Sequence, residues 1–145
     1  MSVIVTEARG WIGTPYRHQA SAKGAGCDCL GLLRGVWRAV HGAEPEPVPP
    51  YTPDWSEAER EERLWRAASR HLRVQPVGEA VAPGDVLLFR MRAGSVAKHL
   101  GIVGRTGAEA SFIHAYSGHG VVESALSTPW QSRLVARFAF PEGIE

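Results

Sequence analysis

One short stretch, Gly26-Cys27-Asp28-Cys29-Leu30-Gly31-Leu32, combines the residue types of nucleophilic catalysis with the signals of a helix start. Asp28 suits an N-cap, so Cys29 falls on the first helical turn. Unpaired backbone amides and the positive end of the helix dipole favour a thiolate there, which predicts a thiol below its free value of about 8.5. The same amides could hold the oxygen anion that forms when sulfur attacks a carbonyl. Gly31 leaves space beside the sulfur for another chain segment to approach. A lone cysteine is also an ordinary small apolar core residue, so the thiol by itself decides nothing.

The histidines carry more weight. His99 opens the run His99-Leu100-Gly101-Ile102-Val103, in which His99, Gly101 and Val103 share one face of a strand. His114 lies within Phe112-Ile113-His114-Ala115-Tyr116, on the face shared by Phe112 and Tyr116, and an imidazole in such apolar company needs a polar partner. If His99 takes the proton from Cys29, His114 can accept a hydrogen bond from the second ring nitrogen and fix the productive tautomer. His119, between Gly118 and Gly120, is the reserve for that third role; His18, His41 and His71 read as loop or helix-end residues. A metal held by Cys27, Cys29 and a histidine is the competing chemistry, but Cys-x-Cys without a second cysteine pair is a weak zinc signal, and no metal or other cofactor is expected. Cys27 precedes the cap and reads as structural or incidental.

A helix and a sheet must hold these side chains. Residues 29–40 carry Leu30, Leu33, Val36, Trp37 and Val40 at helical spacing, predicting a buried helix that begins at the cysteine. Ser2 can cap an earlier short helix with the stripe Ile4, Ala8, Trp11 and Ile12, stopped by Gly13 and Pro15, after which 14–26 reads as loop. Residues 42–50 hold too much proline for a helix or a central strand and predict an extended surface excursion. Ser56 with Glu59 resembles a capping box, and the stretch to about Leu72 pairs Glu59 with Arg63 and Glu62 with Arg66. Its stripe of Leu64, Trp65, Ala68 and Leu72 is narrow, which predicts a surface helix within an insertion at about 42–76.

From Pro83 onward, period two takes over: 85–90, 99–105, 111–116, 120–124 and 133–140 read as strands. In the last of them Leu134, Ala136, Phe138 and Phe140 face one way, while Arg133 and Arg137 face the other. Helices followed by strands predict an α+β fold in a single domain, residues 1–145, with N-terminal helices packed on a small antiparallel sheet.

Composition narrows the function classes. A chain of 145 residues that is 44% hydrophobic, with five tryptophans, is no disordered segment. Sixteen Lys plus Arg stand against 15 Asp plus Glu, and no basic stripe argues for a nucleic-acid or membrane-surface partner. Nothing approaches an apolar run of about 18 residues, so no membrane insertion is expected. Cys27 and Cys29, one residue apart, supply no disulfide framework. Met1-Ser2-Val3-Ile4-Val5-Thr6-Glu7 lacks the basic and apolar regions of a secretory signal, so synthesis and retention in the cytoplasm are expected, and any target beyond a membrane needs a carrier.

In order along the chain, Gly13-Thr14-Pro15-Tyr16, Asp28-Cys29-Leu30-Gly31-Leu32, Pro83-Gly84-Asp85-Val86-Leu87-Leu88-Phe89, His99-Leu100-Gly101-Ile102-Val103 and Ile113-His114-Ala115 resemble the NlpC family of papain-like cysteine peptidases. The likeness runs from about Arg9 to Val122. It implies a circularly rearranged papain-like fold with Cys29 as nucleophile, His99 as general base, His114 as the polar third member, and Tyr16 as a hydroxyl that positions substrate or oxyanion. It also implies cleavage of peptidoglycan stem peptides between D-γ-glutamate and diaminopimelate or lysine. Arg17 and Arg90 or Arg92 could then pair with substrate carboxylates, although each arginine taken singly reads rather as surface solubility.

Two features depart from the family pattern. Leu30 stands where the family usually has serine, which would alter packing beside the helix, and the insertion at 42–76 could reshape or cap a substrate groove. The missing secretory signal, the single-domain length and the insertion look most like the phage-tail branch of the family, including peptidases of gene transfer particles. The partners implied are stem peptides and tail-tip or hub proteins, with the particle carrying the enzyme from the cytoplasm to the periplasmic wall. Two alternatives stand beside this: a structural tail-tip component that keeps the peptidase fold and docks through Trp55 and Trp65, or an amidase or acyltransferase acting on another substrate.

Overall fold

The computed structural model describes residues 2–48, 51 and 62–141. Its elements in chain order are α1 (Val3–Arg9), β1 (Ser21–Ala22), β2 (Gly26–Cys27), α2 (Cys29–His41), α3 (Arg63–His71), β3 (Arg73–Gln75), β4 (Val86–Phe89), β5 (His99–Val103), β6 (Ser111–Tyr116), β7 (Gly120–Ala125), α4 (Thr128–Gln131) and β8 (Leu134–Ala139). Strands β3 to β8 form one antiparallel sheet in the order β3-β8-β4-β5-β6-β7, and β1 and β2 form a separate small hairpin. The α+β reading therefore holds, and all five expected strands are present.

Helix α2 is the axis of the fold. Asp28 caps it through a carboxylate oxygen that accepts the Gly31 N–H at 2.7 Å, so the helix begins at Cys29 as its spacing predicts. Leu32, Val36 and Trp37 of α2, together with Ile4, Ala8, Trp11 and the α3 residues Leu64 and Ala68, pack against Val86, Leu88, Leu100, Ile102, Ile113 and Phe138 on one sheet face. Each fully buried Val, Leu, Ile or Phe among them contributes about 1.5–3 kcal/mol. Two glycines let neighbours approach this helix. A Cβ at Gly31 would lie 1.8 Å from the Ala20 carbonyl oxygen, and one at Gly35 would lie 2.0 Å from the Trp11 indole.

The opposite sheet face carries Leu87, Phe89, Val103 and Phe112, covered by Leu126 and by Trp130 of α4. Because side chains alternate along a strand, His99 and His114 fall on this second face, beside Phe89, Phe112 and Trp130.

Several expectations need correction. Ile12, assigned to the α1 stripe, is 45% exposed, because the helix ends at Arg9 and the chain turns before reaching it. The helix at 63–71 is no mere surface element: Leu64 and Ala68, with Leu72 after them, belong to the main core, and Trp65 packs against it. Directly after it, β3 pairs with β8 and extends the sheet, so the end of the supposed insertion closes the sheet edge. Between β4 and β8 the register shifts: Leu88 faces Ala136 but Phe89 faces Leu134, with Val135 the extra residue of β8. That bulge turns Leu134 away from Ala136 and Phe138 and into the second cluster with Leu87 and Phe89. Arg137, on the other side of the strand from Ala136 and Phe138, is buried, with Nε donating to Asp85 at 2.7 Å and Nη1 to the Pro76 carbonyl at 2.8 Å. A buried charge persists only with such partners. Ser56, Glu59 and Trp55 lie outside the described residues.

Candidate active site

The Cys29 thiol donates to the Lys98 carbonyl oxygen at 3.3 Å, and the N–H groups of Leu100, Leu30 and Cys29 itself favour its ionised form. The sulfur thus rests on main-chain atoms on either side of His99. Burial pushes the thiol up to about 12, the Asp28 charge adds to the rise, and the three amides pull the other way. This reverses the expectation of a depressed thiol: desolvation of the anion outweighs what the helix start provides.

His99 Nε2 lies 2.7 Å from His114 Nδ1, and His114 Nε2 lies 2.9 Å from Ser124 Oγ. Of the two proton arrangements this relay allows, one has His99 Nε2–H donating to His114 and His114 Nε2–H donating to Ser124. It leaves Nδ1 of His99 with a free lone pair, the state a general base requires. Burial, reinforced by the neighbouring imidazole, holds His99 down at about 3, and burial with the His119 charge holds His114 at about 4. Both rings are neutral near pH 7.

Aromatic side chains enclose the pair. Trp130 stacks on His99 with centroids 5.5 Å apart and meets His114 edge-on at 5.2 Å. Phe112 lies 4.2 Å from the His114 ring, and Tyr116 stacks on its other side at 5.4 Å. His119, the reserve for the third role, instead stacks on Tyr116 at 5.2 Å and takes no place in the relay.

Tyr16 forms an isolated bridge with Cys27, is 38% exposed, and has its hydroxyl raised to about 12 by burial and then by the charges of Cys29 and Asp28, so it lies within electrostatic reach of the sulfur. Cys27 is fully buried in the main core. Arg17 is exposed and its side chain crosses Gly26. Arg90 does not suit the substrate-pairing role expected of it, because its guanidinium is committed to Glu62 Oε2 at 3.0 Å and to the Ser95 carbonyl. Arg92 is exposed in the turn between β4 and β5. Among the described residues no hydrogen bond joins the sulfur to an imidazole: the sulfur lies on the sheet face that α2 covers, and the His99 and His114 rings lie with Phe89, Phe112 and Trp130 on the other.

Sequence reasoning missed three participants. Ser124 ends the relay from β7, Trp130 covers it from the four-residue α4, and Tyr51 donates its hydroxyl to Asp28 Oδ2. A serine within Val121-Val122-Glu123-Ser124 or a tyrosine after prolines carries no local signal; only the antiparallel pairing of β6 with β7 brings Ser124 to His114. A groove of about 370 Å³ lies away from the sulfur. It runs between α2, Pro45, Pro47 and α3, and Leu30 lines it where serine was the expected family residue.

A cysteine thus stands at the start of a packed helix, and the antiparallel sheet beneath it carries a pair of hydrogen-bonded histidines. The chain belongs to the NlpC/P60 family, whose family model matches residues 13–138. It is 30% identical over 132 residues to a gamma-DL-glutamyl hydrolase of Bacillus subtilis (strain 168), a match that covers 90% of this chain and 27% of that protein. The chain therefore spans about a quarter of that relative's length. Among solved structures it resembles the NlpC/p60 domain of the peptidoglycan hydrolase SagA, with TM-score 0.62 and 24% identity over 94% of this chain and 96% of that one. An NlpC/P60 family protein from Bacillus cereus gives TM-score 0.64 at 18% identity, over 94% of this chain and 39% of that one.

Proposed function

We propose that this domain hydrolyses amide bonds in the stem peptides of peptidoglycan, at the bond between D-γ-glutamate and diaminopimelate or lysine, and that a phage-like tail carries it to the wall. The observation that supports the hydrolase reading best is the His99–His114–Ser124 relay, which starts at the residue flanked by the two main-chain partners of the Cys29 sulfur. The naming of the Bacillus subtilis relative supports the γ-glutamyl bond.

Thiol and imidazoles are all neutral at rest, so the thiolate forms only as the reaction begins. His99 takes the Cys29 proton on its free ring nitrogen as sulfur attacks the carbonyl. The positive charge that develops on His99 is shared through His114 toward Ser124. The Cys29 and Leu30 N–H groups, which favour the ionised sulfur, are the donors this reading assigns to the oxyanion. His99 then protonates the leaving amine, the acyl-enzyme remains on Cys29, and a water activated by His99 releases the acid.

Purified protein incubated with diaminopimelate-containing muropeptides tests this reading. Cys29→Ala is expected to abolish cleavage and Cys27→Ala to retain it; intact muropeptides with the wild type, beside a working control peptidase, overturn it. The tail-borne setting rests on the family branch that the sequence resembles, and co-purification of the chain with assembled tail particles tests it.

A further inference from the structure

The Asp28 carboxylate has more to do than cap a helix. It is 3% exposed; Oδ1 accepts the Gly31 N–H at 2.7 Å, and Oδ2 accepts the Gln19 N–H at 2.8 Å and the Tyr51 hydroxyl. His18 Nδ1 stands 3.8 Å from Oδ2. A carboxylate this enclosed, one residue before the nucleophile, works against ionisation of the thiol: burial raises Cys29 most, and the Asp28 charge adds to it. How far that charge acts depends on how well its lone pairs are engaged.

Tyr51 comes from beyond the proline-rich stretch, yet three contacts seat it on this loop. Its hydroxyl reaches Asp28, its carbonyl lies 2.7 Å from His18 Nε2, and the Gln19 side-chain amide donates to the same carbonyl at 2.6 Å. The His18 and Tyr51 rings meet edge to face at 5.1 Å. Gln19 is, among the described residues, the one non-glycine in the left-handed region, at φ 65°, and the bonds to Asp28 and Tyr51 hold it there. Burial and the Asp28 hydrogen bond keep the Tyr51 hydroxyl protonated, so it remains a donor.

We propose that Tyr51 is a positioning residue for the nucleophile: its hydroxyl, bonded to Asp28, shields Cys29 from the carboxylate charge and ties residue 51 to the cap of the catalytic helix. This rests on Cys29 being the nucleophile and adds a role to a residue that touches neither the sulfur nor the His99 and His114 rings through any described hydrogen bond.

The test is iodoacetamide alkylation of Cys29 in the full chain, read separately from Cys27 by peptide fragmentation, at a pH well below the thiol midpoint where the rate follows the thiolate fraction. Tyr51→Phe keeps the ring and removes only the donor. It is expected to slow alkylation by about three- to tenfold, the equivalent of about half a unit to one unit in the thiol. A merely structural role predicts the opposite sign, since a loosened site exposes the sulfur. Asp28→Asn is expected to speed alkylation, and in that background Tyr51→Phe is expected to have no further effect. An unchanged or faster rate in Tyr51→Phe, an unchanged rate in Asp28→Asn, or equal slowing by Tyr51→Phe in both backgrounds overturns the proposal. Muropeptide cleavage by the wild type is scored separately, so a failed hydrolase reading appears as intact muropeptides and a failed shielding role as an unslowed Tyr51→Phe.

Discussion

Replacing His114 with glutamine is expected to halve the loss of stability that this protein suffers in mild acid. His99 is 8% exposed and His114 fully buried, and burial holds them at about 3 and about 4 against an ordinary 6.5. Both values are lowered on folding, so between the ordinary value and the folded ones the unfolded chain binds protons that the native state refuses. The native state is favoured fully above the ordinary histidine range and loses ground as the pH falls through it. Each imidazole contributes a slope of about 1.4 kcal/mol per pH unit in that window. At about pH 5 the loss is about 2 kcal/mol for each ring and about 4 kcal/mol for the pair, requiring only that both folded values lie below that pH. The carboxylates Glu44 and Glu123 are lowered from 4.5, so their stabilising charge is lost only at more acid pH and the window isolates the histidines. Urea unfolding of the wild type, His114→Gln and His99→Gln near neutral pH and near about pH 5 measures it, each variant compared with itself so that packing losses cancel. Equal acid losses in the wild type and both variants, or none in the wild type, refute the reasoning.

Other consequences are open to measurement. Trp130→Ala uncovers the ring stacked on His99, so water returns to the imidazole and its value climbs back toward 6.5; the acid limb of kcat/KM on muropeptides is expected to move to higher pH, with less change at neutral pH. Arg137→Met leaves the Asp85 carboxylate buried without its cation and is expected to cost about 3–5 kcal/mol in urea unfolding, and Asp85→Asn in the same chain is expected to recover part of that loss.

The helix start at Cys29 and the strands bearing His99 and His114 were legible because each depends on local signals: an N-cap, a helical stripe and period-two alternation. The family resemblance rested on the same blocks and holds. What escaped is non-local. Arg73-Val74-Gln75 has no apolar alternation, with Val74 65% exposed, and becomes a strand only because β8 offers a free edge. The bulge opposite Phe89 could not be read from β8, whose alternation looks regular until its partner imposes a shift. The thiol was misjudged because a helix start can be counted in sequence, whereas enclosure by Lys98 and Leu100 arises only once β5 docks. Arg90 looked available for a ligand until Glu62, far away in the chain, took it.

The sulfur is held by a carbonyl and an amide, not by side chains, at the residues on either side of His99. Mutation at the half-buried position 98 can therefore change size and charge without deleting the carbonyl tether, whereas the side chain at position 100 also fills the main core and has to stay apolar.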